Sequence, residues 1–102
     1  MSYLVTVTFD LHEVPEEAWE EVYKAAYTAL AKIGLTHIAT SDNKTAVRLP
    51  ESTVMGELQG ESAAGLRDKI CSDLVAIFKV QNRKYTVLVT VGDDWAWGRR
   101  TG

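Results

Sequence analysis

The chain has 102 residues, 46% hydrophobic and 25% charged, with a formal charge of −3 and a single cysteine. That size and balance suit one globular domain spanning 1–102 around one core. The negative charge disfavours strong non-specific nucleic-acid binding, which needs lysine and arginine to neutralise phosphates, and Cys71 alone excludes an intrachain disulfide framework and a cysteine-rich metal site.

The run Tyr3-Leu-Val-Thr-Val-Thr-Phe9 alternates apolar and polar residues, the period of a half-buried strand. It ends in Asp10, where strand geometry would deliver a carboxylate to a loop edge. Residues 11–15 read as a connection, with Pro15 suited to the first helical position, where its missing N–H costs nothing. Glu16 and Glu17 follow at the positive end of the helix dipole. Within residues 16–33, Trp19, Val22, Ala26, Leu30 and Ile33 recur at spacings of three and four and form one apolar stripe. Glu20 and Lys24 stand at the favourable i,i+4 spacing. Gly34 fits a left-handed helix stop.

Leu35 to Thr40 reads as a short second strand, and Ser41-Asp-Asn-Lys44 as a turn. Thr45 to Leu49 could extend a hairpin, but Pro50 would disrupt a central strand. The third strand is therefore placed at Ser52 to Leu58, with 41–51 as an exposed loop that could be partly ordered. Residues 59–62 form a second loop, in which Ser62 is suited to cap a helix over 63–79. Leu66, Ile70, Leu74 and Ile77 mark the inner face of that helix. Asn82 and Arg83 turn the chain into a last alternating strand, Lys84 to Val91. No apolar stretch approaches the roughly 20 residues of a membrane span, and no basic segment leads into an apolar signal core. A cytoplasmic protein with no membrane contact is expected.

The order βαββαβ predicts an α+β, ferredoxin-like fold: a four-stranded antiparallel sheet with two helices on one face. Either Tyr3, Val5 and Val7 or Leu4, Thr6 and Thr8 would occupy the uncovered face, according to register. The last strand offers the same choice between Tyr85, Val87, Val89 and Val91 and the set Thr86, Leu88 and Thr90. Both faces keep apolar or threonine surface, which suits a homodimer formed through the open side.

For chemistry, Asp10 could bind a divalent metal such as Mg²⁺ or position water for phosphodiester attack, a dimer mate supplying a second carboxylate. The plainer role is to turn the chain at a strand end. Asp93 and Asp94 are adjacent and point different ways in extended chain, which suits a solvated loop. His12 and His37 are read as ordinary loop or surface histidines, and Cys71 as a small hydrophobe beside the helix stripe. Lys44, Arg48, Arg83 and Lys84 could contact phosphates, although charged loops are usually just solvated. The tail, about 92–102, carries Trp95 and Trp97 in alternation; each ring can bury about 200 Å², so something should cover them. The options are packing against the chain's own helices or sheet edge, a strand or arm exchanged with another subunit or protein partner, and nucleobase stacking beside Arg99 and Arg100.

Several words of the sequence resemble the GhoS-type antitoxins, which are similar to small CRISPR-associated endoribonucleases of ferredoxin-like fold. They are Tyr3-Leu-Val-Thr-Val-Thr-Phe-Asp10, Gly34-Leu-Thr-His-Ile38, Arg48-Leu-Pro-Glu-Ser-Thr53, Leu66-Arg-Asp-Lys-Ile-Cys71 and Val91-Gly-Asp-Asp-Trp95. The resemblance implies an RNA-binding antitoxin that cuts a toxin transcript, with Asp10 matching the aspartate that ends the first strand of the CRISPR-associated relatives. Where those antitoxins carry first-helix arginines, this chain has Ala25, Ala26 and Tyr27 in an acidic helix. Two functions are therefore expected. One is an RNA-binding, RNA-cleaving antitoxin using Asp10, Lys44, Arg48, Arg83 and Lys84. The other is a non-enzymatic inhibitor, antitoxin or regulator that binds protein through the open sheet or through Trp95 and Trp97.

Overall fold

Alternation at the two ends of the chain produces two neighbouring strands. The computed structural model describes residues 1–40 and 44–100. Its elements are β1 (Ser2–His12), a 3-10 turn (Glu16–Ala18), α1 (Trp19–Lys32), β2 (Ile38–Thr40), β3 (Ala46–Arg48), β4 (Thr53–Gln59), α2 (Ala63–Val80) and β5 (Lys84–Gly92). β1 pairs antiparallel with β5 from Leu4↔Gly92 to His12↔Lys84, and on its other edge with β4 from Ser2↔Gln59 to Thr8↔Thr53. The sheet is thus three-stranded, in the order β4-β1-β5.

The odd-numbered residues of β1, Tyr3 through Leu11, are all buried, whereas Thr8, Asp10 and His12 are exposed on the opposite face. Both helices close over the odd face: Tyr23, Ala26 and Leu30 of α1 join Leu66, Ile70, Leu74 and Phe78 of α2 in one cluster with β1. Phe9 sits at its centre, with ring centroids 6.0 Å from Tyr23, 5.8 Å from Tyr27 and 5.9 Å from Phe78. Each such fully buried apolar side chain contributes about 2–3 kcal/mol by removal from water. Ser62 caps α2, its Oγ accepting from the Gly65 N–H at 3.0 Å.

The expected four-stranded ferredoxin-like sheet is not what forms. β2 and β3 pair only with each other, Ile38↔Arg48 to Thr40↔Ala46, as a separate two-stranded hairpin. One isolated bridge, Thr36↔Met55, ties this stretch to β4 through N–H···O bonds of 2.9 and 2.8 Å. The order is βαβββαβ, because Ala46–Arg48 is a strand and not part of an exposed 41–51 loop. The physical reason lies at the base of the hairpin. Leu49 N–H donates to the His37 carbonyl at 2.8 Å, Thr53 N–H returns to the Pro50 carbonyl at 3.1 Å, and Ser52 has φ +64°. This reversal starts β4 at Thr53 and leaves β2 no ladder beyond Thr36. The predicted turn at Ser41-Asp-Asn lies outside the described residues.

Two glycines set how α1 meets β4. Gly34 has φ +90° and ends α1 as expected, while a Cβ on Gly56 would overlap the Gly34 carbonyl oxygen. The two backbones approach because Gly56 has no side chain, whereas a Cβ on Gly34 would meet Leu58 Cδ2. The expected stripe of α1 faces the core in Ala26 and Leu30, which are buried, and in Val22 and Ile33, which pack against it, but it departs at Trp19 and is flanked by two tyrosines. Trp19 is 39% exposed, whereas Tyr23 is buried and Tyr27 half-buried. Among the described residues, Glu20 and Lys24 form no ion pair.

Candidate functional site

The tyrosines that flank the core stripe of α1 face a concave surface. Trp19, Tyr23 and Tyr27 lie along one side of the helix at spacings of four, and the hairpin stands opposite. Between them runs a groove of about 1160 Å³. Its floor is aromatic: the rings of Trp19 and Tyr23 are 4.2 Å apart, and those of Tyr27 and His37 4.6 Å apart. Two backbone donors hold the tyrosines. Leu11 N–H donates to the Tyr23 hydroxyl at 3.3 Å, and Ser52 N–H donates to the Tyr27 hydroxyl at 2.7 Å. Burying a tyrosine with its hydroxyl satisfied combines a large apolar surface with a fixed orientation.

The rim is charged and exposed. Glu16, Glu20 and Lys24 line the helical side, with Arg48 and Glu51 on the other. None of these five makes an ion pair among the described residues. An apolar floor with a few charged groups at its edge is the general character of a ligand-binding cleft. Sequence reasoning missed this site. It read Tyr27 only as a lost arginine position and His37 as a surface residue, and Tyr23 was not singled out. The available signal was the i,i+4 repeat Trp19, Tyr23, Tyr27.

Asp10 lies elsewhere. β1 continues two residues beyond it, so Asp10 is not at a loop edge as expected, and its register partner is Thr86. The strand continues because Leu11 is buried on the core face and held through Tyr23. On the open face, Asp10 is flanked by Thr8 and His12, neither a carboxylate. His12 Nε2 and Thr86 Oγ1 form a hydrogen bond of 2.8 Å. Among the described residues, no three His, Cys, Asp or Glu side chains converge where they could hold an ion.

The structure separates the expected cations into two groups. Arg83 and Lys84 line a smaller hollow of about 500 Å³ with His12, Glu13 and Lys79, at the Asp10 end of the β1–β5 ladder. Lys84 Nζ is 3.0 Å from Glu13 Oε2, an exposed pair. Arg48 belongs to β3 and the large groove, and Lys44 is exposed with φ +63°.

The uncovered sheet face carries Leu4, Thr6 and Thr8 of β1 beside Thr86, Leu88 and Thr90 of β5, and Leu88 is 64% exposed. That resolves the register choice in favour of the threonine-bearing set. Residues 93–100 follow β5 without regular structure, so the alternation of Trp95 and Trp97 does not make a strand. Trp95 is 39% exposed and Trp97 half-buried. Cys71 is half-buried and free. No described helix is long and apolar enough to cross a membrane. In comparisons with known proteins, no protein-family model matches the chain, and no curated protein matches it in sequence.

Proposed function

We propose that this protein is a non-enzymatic protein-binding module whose working surface is the groove between α1 and the β2–β3 hairpin. The observation that carries the reading is the aromatic floor: Trp19, Tyr23, Tyr27 and His37 lie in pairs, with both tyrosine hydroxyls engaged by backbone donors. Aromatic anchors of this kind supply most of the affinity in protein interfaces, while charged rims add specificity. The three glutamates facing the groove favour a segment bearing basic residues. The test is an amide chemical-shift titration of labelled protein with peptides that combine an aromatic residue with arginine. Saturable shifts around Trp19, Tyr27 and His37 are expected, with Trp19→Ala weakening binding at least about ten-fold while the fold is retained. Shifts absent for every peptide, or indifference to Trp19→Ala, would refute it.

RNA binding, of the kind the antitoxin resemblance implies, has one observation in its favour. Lys79, Arg83, Lys84 and His12 gather at the end of the sheet that carries Asp10. On that reading, RNA affinity falls steeply with salt, and Arg83→Ala with Lys84→Ala reduces the salt slope by roughly 1 to 2. A role for Asp10 in cleavage would show as lost turnover in Asp10→Asn with folding unchanged. The net charge of −3 and the acidic start of α1 weigh towards the protein-binding reading.

A further inference from the structure

The tail and the groove have complementary properties, yet the tail does not line the groove of its own chain. We infer that the groove accepts the tail of a second copy of this protein, Asp93 to Arg100, with Trp95 or Trp97 seated on the aromatic floor and Arg99–Arg100 against the Glu16–Glu20 end of α1. This rests on the reading of the groove as a protein-binding surface.

Three features select this occupant. The first is charge. Glu16, Glu17, Glu20 and Glu21 crowd the start of α1, and the only cations of the tail, Arg99 and Arg100, are adjacent at its far end. Asp93 and Asp94 stand at the near end, which this orientation keeps away from those glutamates, in a groove whose opposite wall carries Arg48. The second is length. Lining residues on the helical side run from Glu16 to Ala31, about 22 Å along a helical rise, and residues 93–100 in extended form span about 23 Å. The third is unsatisfied aromatic surface on both parts: Trp19 at the groove and Trp95 in the tail are each 39% exposed.

Geometry disfavours the same contact within one chain. β5 ends at Gly92, opposite Leu4 of β1, whereas the groove is fastened to the other end of β1 at Leu11 and lies beyond its β4 edge at Ser52. Reciprocal exchange of tails between two copies closes a two-fold dimer, and one-way insertion builds an open chain.

Sedimentation velocity of the full chain across a concentration series tests this. The wild-type protein is expected to associate reversibly, and Arg99→Glu with Arg100→Glu to weaken association at least about ten-fold. Adding Glu16→Arg and Glu20→Arg to that variant should recover it. All four residues are exposed, so circular dichroism of each variant should match the wild type. A synthetic peptide of residues 93–102 should compete with association and shift the amides around Trp19. A wild-type protein monomeric throughout, a tail variant that associates normally, or no recovery in the fourfold variant would each overturn the inference. If unrelated arginine-bearing peptides still shift the groove while the tail peptide does not, the inference fails and the protein-binding reading stands. If no peptide shifts it, both fail.

Discussion

β1 has two flanks, and they are built differently. On the β5 side a continuous antiparallel ladder runs from Leu4 to His12, and the half-buried Tyr85, Val87, Val89 and Val91 pack with the core. On the β4 side an antiparallel ladder runs from Ser2 to Thr8, and the chain outside β4 is attached by the Thr36↔Met55 bridge, the Tyr27–Ser52 hydrogen bond and the close approach of Gly34 to Gly56. The two ladders of β1 are held by many similar contacts, the segment outside β4 by a few specific ones. The groove lies on the latter. In this molecule the aromatic groove is found where sheet pairing ends, and the two β1 ladders supply its base.

Hydrogen exchange should expose this asymmetry most strongly. Amides at the centre of β1 and β5 are expected to open only with global unfolding, and those of the β2–β3 ladder by local opening at least about 3 kcal/mol more easily. Equal protection in both regions would erase the distinction. Next in size is Gly56→Ala, which forces a Cβ into the Gly34 carbonyl; a loss of about 3 kcal/mol is expected in denaturant unfolding. An unchanged midpoint would show that the two backbones separate easily. Tyr27→Phe keeps the ring but leaves the Ser52 N–H without its acceptor, at a cost of about 1–2 kcal/mol. It should also hasten exchange at the hairpin base while sparing β5. Smallest is Lys84→Met on the regular flank: its pair with Glu13 is exposed, so a change of no more than about 0.5 kcal/mol is expected.

The regular flank was the legible one. Period-two alternation identified β1 and β5, the i,i+3/i+4 pattern found both helices, and Ser62 and Gly34 marked a cap and a stop that the structure contains. On the other flank the expected strand at Ser52 to Leu58 matches β4, but the pairing outside it was not legible. Pro50 argued against a strand just before it, yet Ala46–Arg48 forms one because its partner is the adjacent Ile38–Thr40 and not the central layer. Local patterns do not state how far a neighbouring ladder continues. The groove was hidden for a related reason. Tyr23 and His37 are distant in sequence, and the stripe of Val22, Ala26, Leu30 and Ile33 does reach the core without showing that Tyr23 and Tyr27 flank it. What fixes the two tyrosines there is their hydroxyls, whose partners Leu11 and Ser52 lie elsewhere in the chain. The carboxylate of Asp10 was easy to notice and hard to interpret, since its companions on the face are set by strand register, which places Thr86 opposite it.

The tyrosine hydroxyl anchors bear on the tempo of association. Rings already fixed by the backbone before any partner arrives leave little to rearrange on encounter, so capture at the groove should show a single phase whose observed rate climbs linearly with partner concentration. Differences among partners would then reside in how long each stays.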